Sequence, residues 1–599
     1  MTHLPDLPAD SALARLFETE PWRGEATWFS LPGGAALFEE GDPADQLFVV
    51  RTGRLGAFRH DEGDEPRFLG VIRPGEPAGE MALIGETAHT ARVVALRDTE
   101  IVALPRDVFF RAVEEDAAVM TQLARLMLAR TRGGPENGTV GEPSVFGFIP
   151  ASEPLSLLPM VDQIAREIGK LGYLVQVIGS ESAGAATEWF SQVEHAHDFV
   201  LYVAEAGDLG WRQLVSRQVD RLFRVGRGDR PPPASQHPLA ASSALEAHQL
   251  VDLILLHPAR ARRPKGSEIW TSAVRPARLF HVRRDNRADA SRIARVITGQ
   301  SVGLVLSGGG ARAYAHVGAV RALRERGVPI DFVGGVSMGA IIAAGVAMGW
   351  DDVELEQRLR KAFVSSSPLD DIAFPLLAMT RGQKVVERLA EHFGDTTIAD
   401  LWLPFFCVSS NLTTGAYHLH RHGPVARALR ASIALPGVLP PATVDDDVLV
   451  DGAVLKNFPT DVMRSLHLGP IIGVDVTRGR SITASDVARP PSIWRWLISG
   501  DWRKGPPIVS LLMRAATVST GRDHAAAREA TDVLITPSVQ GVEIRDWAAY
   551  EPAVRAGYEA AIAALDKLEN RVVDLRRRRG LAAPVPARRR TRAKAAAAG

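Results

Sequence analysis

Two short motifs in the second half of the sequence carry side chains that could serve as a nucleophile and its base. Gly335-Val336-Ser337-Met338-Gly339 matches the Gly-x-Ser-x-Gly pattern, in which flanking glycines allow the tight turn that presents a serine hydroxyl. Asp451 ends an apolar run and is followed by a glycine, so its carboxylate could accept the serine proton. This pair predicts attack by Ser337 on a carbonyl group, with Asp451 as the base.

A glycine-rich turn lies about one strand and one helix before Ser337. The apolar run 302–306 predicts a strand, and residues 311–326 predict a helix that stops at a glycine. The turn between them contains three consecutive glycines, Gly308, Gly309 and Gly310. Their backbone amides could stabilise an oxyanion, with Arg312 fixing the loop or adding positive charge. Phosphate binding would explain such a turn equally well.

Histidine is the more usual base for a serine nucleophile, so a Ser-Asp-His triad is the alternative mechanism. His467 lies at a predicted helix-to-strand junction, and His524 lies in a charged, helical stretch. Three more histidines alternate along the chain, as on a strand with one exposed face: His418, His420 and His422. Because none of these histidines has the flanking pattern of a catalytic loop, the sequence favours a two-residue dyad.

The composition argues against several classes of function. Basic and acidic residues number 70 each, so no global field draws the chain to nucleic acid. The single cysteine, Cys407, excludes an intramolecular disulfide and fits a reducing compartment. The N-terminus lacks the features of a signal peptide, and no run of about 18 apolar residues occurs. We expect a cytoplasmic protein that can bind peripherally at the inner membrane face.

The length of 599 residues predicts several domains, because it exceeds what one hydrophobic core usually serves. Short strands with glycine turns over 11–130 predict a β-roll, and 131–144 reads as a linker. Apolar runs separated by helix-length segments over 145–300 predict a Rossmann-like α/β spacer domain without a dinucleotide motif. The four runs are 145–149, 174–178, 199–203 and 251–256. Residues 301–570 form the predicted α/β domain with Ser337, and the arginine-rich tail 571–599 is expected to be disordered.

Two phrases of the first domain, Glu40-Gly41-Asp42 and Gly79-Glu80-Met81-Ala82-Leu83, resemble the cyclic-nucleotide-binding fold. The resemblance implies a phosphate cassette that opens at Gly79 and Glu80. Alignment of the cassette places His89 where that family has its phosphate-binding arginine, and Arg92 follows three positions later. A neutral histidine lacks the charge and the bidentate fork of a guanidinium. We therefore expect a nucleotide-free regulatory or docking module in preference to a cyclic-nucleotide sensor.

The motifs of the last domain are similar in order and spacing to those of patatin-like phospholipases. They are 307–312, Gly335 to Gly339, 431–436 and Asp451-Gly452-Ala453. The resemblance implies a Ser-Asp dyad of Ser337 and Asp451, an oxyanion hole at Gly308 to Gly310 with Arg312 alongside, and no metal or cofactor. Ala313 stands where the family usually has the last glycine of its loop.

The resemblance extends upstream to the approach at 289–299 and to Leu255-Leu256-His257-Pro258, which look like the region before the hydrolase in neuropathy target esterase-type enzymes. Such proteins join cyclic-nucleotide-binding-like modules to a patatin domain. The implied substrate is a lysophospholipid or a phospholipid.

One segment could bring the chain to a lipid surface. Residues 493–498 combine Trp494 and Trp496 with aliphatic and basic residues, a composition that favours either a bilayer interface or a hydrophobic lid. The alternative to an enzyme is a non-catalytic regulatory scaffold, in which a nucleotide-sensing module controls a degenerate hydrolase fold. The intact Ser337 and Asp451 favour the enzyme.

Overall fold

The computed structural model describes residues 17, 20–60, 66–132, 143–151, 154–185, 187–233, 251–364, 371, 378–477, 521–543 and 546–577. Within these ranges the chain forms two four-stranded sheets, one six-stranded sheet and one eight-stranded sheet. No helix of these ranges combines the length and the apolarity needed to cross a bilayer.

The first domain packs two antiparallel sheets, with the strand orders β1-β8-β3-β6 and β2-β7-β4-β5. Its strands are β1 Thr27–Leu31, β2 Ala36–Phe38, β3 Gln46–Thr52, β4 Leu55–His60, β5 Pro66–Ile72, β6 Pro77–Ala78, β7 Arg92–Ala95 and β8 Thr99–Pro105. Its helices are α1 Trp22–Glu25, α2 Glu80–Gly85, α3 Arg106–Glu115 and α4 Ala117–Arg132. The predicted β-roll is confirmed.

The helical stretch that follows β8 is two helices, α3 and α4, instead of one continuous helix. The chain leaves the helical conformation at Asp116, where φ is −133°. The Asp116 carboxylate then accepts the N–H of Ala118 at 3.0 Å, as an N-cap does for the helix that follows it. The apolar periodicity continues through this break, which is why periodicity alone did not reveal it.

The middle domain is a parallel sheet with the strand order β10-β11-β9-β12-β13-β14. Its strands are β9 Val145–Pro150, β10 Val175–Ile178, β11 Phe199–Val203, β12 Arg221–Arg227, β13 Val251–His257 and β14 Arg278–Arg283. Its helices are α5 Leu158–Lys170, α6 Thr187–Ala196, α7 Leu209–Gln218, α8 Ser267–Val274 and α9 Arg287–Ile297. Apolar runs predicted four of these strands, but β12 and β14 begin and end with arginine.

The first domain docks on the edge of the middle sheet from which its strands start. Arg97 pairs with Glu194 at 2.7 Å, and Arg54 pairs with Asp220 at 3.0 Å. All four side chains are largely buried. Asp220 also accepts the N–H of Val145, the first residue of β9. Because each buried charge has a partner across the contact, the two domains hold a defined arrangement.

The last domain is built on a sheet with the order β19-β20-β17-β16-β15-β21-β22, and β18 pairs with β17. Its strands are β15 Gly303–Leu306, β16 Phe332–Val336, β17 Phe405–Asn411, β18 Tyr417–His420, β19 Ala442–Val444, β20 Asp447–Asp451, β21 Ile471–Val474 and β22 Val533–Ile535. Its helices are α10 Ala315–Glu325, α11 Met338–Met348, α12 Asp352–Leu359, α13 Gln383–Phe393, α14 Val425–Ser432, α15 Thr460–Leu466, α16 Gly521–Glu529 and α17 Tyr550–Asp566.

The helix predicted at 311–326 begins later than expected. Residues Gly310–Tyr314 form a 3-10 turn, and α10 starts only at Ala315. The glycine loop therefore includes the tight turn that carries Arg312.

The middle and last domains share one hydrophobic core, and Arg295 of α9 pairs with the buried Asp331, next to β16, at 2.6 Å. The strand that leads to Ser337 is thus supported by the middle domain.

Candidate active site

Ser337 lies in a sharp turn between β16 and α11, with φ 54° and ψ −130°. A non-glycine residue in this region is strained, and such strain persists only where the surroundings impose it. A Cβ atom at Gly339 would lie 2.4 Å from the carbonyl oxygen of Ser307, and one at Gly335 would lie 2.9 Å from that of Leu306. Both flanking glycines are therefore required for β15, β16 and α11 to meet at the nucleophile.

Ser337 and Asp451 are in direct contact. The Ser337 hydroxyl donates to Oδ2 of Asp451 at 2.6 Å. Strand pairing brings them together, because Val336 faces Val408 of β17 on one side and Asp451 faces the next residue, Ser409, on the other. Two residues separated by 114 positions thus flank the same point of β17.

The Asp451 carboxylate is almost completely buried, with 1% of the residue exposed. Burial raises the pKa of Asp451 to about 6, although the hydrogen bonds from Ser337 and from the N–H of Ala453 oppose this shift. The Ala453 N–H donates to Oδ1 at 2.9 Å, which leaves Oδ2 directed at the serine. A carboxylate with a pKa near 6 is ionised at neutral pH and is more basic than an exposed one, so it is suited to accept a proton.

The glycine loop lies directly against the nucleophile. A Cβ atom at Gly308 would lie 3.1 Å from the Cβ of Ser337. The Gly308 N–H donates to Oδ1 of Asn457 at 3.0 Å, and Nδ2 of Asn457 donates to the Thr477 hydroxyl at 3.0 Å. Behind the loop, the buried His316 ring contacts the carbonyl oxygen of Ser307 at 2.8 Å. These contacts fix the first residues of the loop.

The structure separates the two roles that the sequence left open for Arg312. Its Nε donates to the carbonyl oxygen of Val542 at 2.8 Å, and the side chain is buried. The guanidinium therefore ties the loop to the segment that precedes α17. This contact supports loop fixing over direct charge stabilisation at Ser337.

Ser432 is a residue of this site to which sequence reasoning assigned no role. Its hydroxyl accepts the N–H of Ser337 at 3.0 Å and donates to the carbonyl oxygen of Val408 at 2.6 Å. Ser432 thereby satisfies the backbone of the strained turn from the end of α14. The sequence signal that pointed to Ser432 was the motif at 431–436. Its resemblance to the family did not indicate what the Ser432 hydroxyl does.

We expect the Ser432→Ala variant to remain folded but to hold Ser337 less firmly. An unsatisfied buried N–H costs about 1–3 kcal/mol of unfolding free energy, and a looser nucleophile should lower kcat for ester hydrolysis by about tenfold. Denaturant unfolding and steady-state kinetics measure both quantities. Ser465→Ala is the matched control, because that hydroxyl donates only within its own helix, to the Val462 carbonyl. Equal kinetics for the two variants would contradict this role.

Three of the five histidines considered for a triad are engaged elsewhere. His467 stacks on Phe332 with ring centroids 4.9 Å apart, and burial lowers the pKa of His467 to about 3. His524 contacts Asp475 at 3.0 Å. His420 contacts the hydroxyl of Ser409 at 2.8 Å. Each ring therefore has a structural partner.

In the first domain, His89 occupies the predicted cassette. Its ring stacks on Phe38 with centroids 3.6 Å apart, and it lies so close to Gly79 that a Cβ atom there would be 2.9 Å from the imidazole. Burial lowers the pKa of His89, so the ring is neutral at neutral pH. Arg92 pairs with Glu39 at 3.1 Å, and Glu80 is buried.

The segment 493–498 and residues 578–599 of the tail lie outside the described residues.

Comparison with known proteins gives two family matches. Residues 304–464 match the patatin-like phospholipase model, and residues 28–116 match the cyclic nucleotide-binding domain model. The first range contains Ser337, Asp451 and the glycine loop. The last domain is accordingly a patatin-like phospholipase domain, built around a serine that is hydrogen-bonded to a buried aspartate.

Several known proteins are similar to most of this chain, and some of them are much longer. An uncharacterised NTE family protein of Mycobacterium tuberculosis is 32% identical over 554 residues, which are 89% of this chain and 91% of that protein. Neuropathy target esterase sws of Drosophila melanogaster is 28% identical over 83% of this chain and 39% of its own length. Human patatin-like phospholipase domain-containing protein 6 is 28% identical over 89% of this chain and 44% of its own. The chain belongs to the NTE family.

Proposed function

We propose that this chain is a serine esterase that releases fatty acid from lysophospholipids or phospholipids, with Ser337 as nucleophile and Asp451 as base. The observation that carries the proposal is the 2.6 Å hydrogen bond from the Ser337 hydroxyl to a carboxylate that is 1% exposed. A buried acid that accepts a hydrogen bond from a serine in a strained turn is the arrangement that activates a nucleophile. The broader class, a hydrolase acting on lipids, follows from the patatin-like phospholipase domain.

The reaction proceeds in two steps through an acyl-enzyme. Asp451 accepts the Ser337 proton as Oγ attacks the acyl carbonyl carbon, and the carbonyl oxygen becomes an oxyanion facing the glycine-loop amides. The bond to the glycerol oxygen then breaks, and this oxygen takes the proton from Asp451. In the second step Asp451 deprotonates a water molecule that attacks the acyl-enzyme. The bond between the acyl carbon and Ser337 Oγ then breaks, Oγ takes the proton from Asp451, and fatty acid leaves.

The oxyanion in this scheme faces the middle of the glycine loop. The N–H of Gly308 already donates to Asn457, so the amides of Gly309 and Gly310 are the ones we assign to the oxyanion. Gly310 has a φ of 58°, a conformation that glycine adopts without strain. A residue in this left-handed conformation is a component of the backbone turns that form anion-binding concavities.

The test is fatty-acid release from lysophosphatidylcholine by purified protein in the presence of a chelator. We expect continuous release by wild type. The Ser337→Ala variant, purified identically, measures any contaminating hydrolase. If wild type releases no acid from this lipid, from diacyl phospholipids or from simple aryl esters, the esterase proposal is wrong. The non-catalytic scaffold would then be the better account.

A further inference from the structure

A buried carboxylate that the Ser-Asp chemistry does not use lies two strands away from the nucleophile. Asp475 directly follows β21, and none of its surface is exposed. Because β21 pairs with β15 and Val474 faces Leu306, Asp475 lies beside Ser307, the residue at which the glycine loop begins. A buried charge is costly unless it is paired, so the groups around Asp475 indicate what it holds in place.

The segment 475–477 runs alongside the glycine loop. The Ser307 N–H donates to the carbonyl oxygen of Val474 at 3.1 Å, and the Val476 N–H donates to the Ser307 hydroxyl at 3.0 Å. A Cβ atom at Gly309 would lie 2.5 Å from Cγ2 of Val476. Gly309 carries one of the two amides assigned to the oxyanion. A shift of the segment would therefore displace this amide.

The Asp475 carboxylate ties the segment 475–477 to α16. Its Oδ1 accepts the Thr477 N–H at 2.9 Å, and its Oδ2 contacts Nε2 of His524 at 3.0 Å. Oδ2 also pairs with Arg528 of the same helix. Burial opposes ionisation, but hydrogen bonds from His524 and Thr477 lower the pKa of Asp475 to about 2. The group is therefore a carboxylate at neutral pH, and it joins two elements that flank the loop.

Thr477 extends this connection to an amide of the loop. Nδ2 of Asn457 donates to the Thr477 hydroxyl at 3.0 Å, and Oδ1 of Asn457 accepts the Gly308 N–H at 3.0 Å. A backbone N–H can only donate, so the amide oxygen of Asn457 must face Gly308 and its NH2 group must face Thr477. The Thr477 hydroxyl thus fixes the orientation of the side chain that holds Gly308.

We propose that Asp475 is a positioning residue for ester hydrolysis, which holds the glycine loop in place through Val476 and Thr477. The proposal rests on the esterase function proposed above and adds residues outside the dyad on which the rate depends. Asp475 lies behind the loop and does not act on the substrate itself. A displaced loop weakens contacts to an oxyanion that exists only in the transition state and the intermediate. Loss of Asp475 should therefore lower kcat and leave KM nearly unchanged.

Aspartates at the two ends of β21 provide a matched pair of variants. Asp532 accepts the N–H of Ile471, the first residue of β21, at 2.8 Å and pairs with two arginines. Asp475→Asn and Asp532→Asn each remove a partly or fully buried charge from arginine pairs, but only Asp475 lies beside the loop. We expect Asp475→Asn to lower kcat for p-nitrophenyl butanoate by about tenfold, with KM within about twofold. Asp532→Asn should keep wild-type kinetics.

Hydrogen–deuterium exchange of the peptide that covers 307–314 measures the loop without any substrate. Its amides should exchange about tenfold faster in Asp475→Asn and at the wild-type rate in Asp532→Asn, because exchange reports local opening. Unchanged exchange in Asp475→Asn overturns the proposal even if wild type hydrolyses esters. Faster exchange with wild-type kcat also overturns it. If wild type hydrolyses no ester, the esterase function is wrong, and exchange alone decides whether Asp475 holds the loop.

Thr477→Val tests the link to Asn457 and replaces Asp475→Asn if that variant does not fold. Valine has nearly the size of threonine but no hydroxyl, so kcat should fall and loop exchange should rise by about fivefold, the scale of one hydrogen bond. Thr477→Ser keeps the hydroxyl and should behave as wild type. Equal losses in Thr477→Val and Thr477→Ser, or no loss in Thr477→Val, overturn the connection through Thr477.

Discussion

The Asp451→Asn variant is expected to lose about 10³-fold in kcat for ester hydrolysis, the scale of a removed general base. Asparagine preserves the size of the side chain, and its amide oxygen can still accept the Ala453 N–H that Oδ1 accepts in the wild type. It cannot accept the Ser337 proton, so the hydroxyl would have to attack without activation. Steady-state kinetics with p-nitrophenyl butanoate measure the loss.

The matched control is Asp447→Asn at the start of the same strand. Asp447 is partly exposed and lies four residues from Asp451, so this change removes one charge from β20 without touching Ser337. Wild-type kinetics are expected for it. If Asp451→Asn kept more than about a tenth of the wild-type kcat while folded, another group would have to be the base and the dyad would be wrong.

The pH dependence of the wild type reports on the same carboxylate. Asp451 acts as a base only when ionised, and burial raises its pKa to about 6. The rate therefore rises with pH: kcat/KM should be half its plateau value near pH 6 and fall about tenfold per pH unit well below that. A plateau that continues down to pH 4 would contradict a base of this pKa.

The sequence was sufficient to predict that Ser337 and Asp451 could act together, because each of them lies in a recognisable local motif. Glycines on both sides of Ser337 and the apolar run before Asp451 describe a turn and a strand end, and these are local properties. Their partners are not local. Ser432 reaches the Ser337 N–H across 95 positions, and Asn457 reaches Gly308 across 149. No spacing rule predicts such pairs, because the strand order of the finished sheet decides them.

The missed strands of the middle domain have a different cause. Arg221 and Arg278 stand at the starts of β12 and β14, and both pair with the fully buried Asp252 of β13, at 2.7 and 2.6 Å. An arginine can begin a strand inside a sheet when the neighbouring strand supplies its counter-charge. Hydropathy patterns score each strand alone, so they treat these arginines as evidence against burial.

The position of the first domain relative to Ser337 bears on the role of that domain. It contacts the middle sheet through Arg54 and Arg97, at the edge where the strands begin. Ser337 lies in the last domain, at the edge where the parallel strands end. His89 stacks on Phe38 in the cassette, and a docking or regulatory role for the first domain stays a prediction. The chemistry that we propose depends on contacts within the last domain alone.

The Gly308→Ala variant is expected to lower kcat by about 100-fold while KM stays near the wild-type value. The added Cβ would lie 2.6 Å from Oδ1 of Asn457 and 3.1 Å from the Cβ of Ser337. The contact with Ser337 is relieved only if the loop moves away from the nucleophile, and a displaced oxyanion-hole donor costs about 10² to 10³ in kcat. Because Gly308 does not have a positive φ, alanine fits its backbone and the protein should fold.

Two companion variants distinguish a displaced loop from general damage. Gly521→Ala adds a methyl group where nothing lies within 4 Å, so wild-type kinetics are expected for it. Gly308→Ala combined with Asn457→Ser removes the nearer of the two clashes. The Asn457 amide ends a flexible side chain and can shift, whereas the Ser337 Cβ is held by its strained turn. The double variant should therefore remain impaired, and full recovery of kcat would show that the loop contacts Asn457 without positioning the oxyanion.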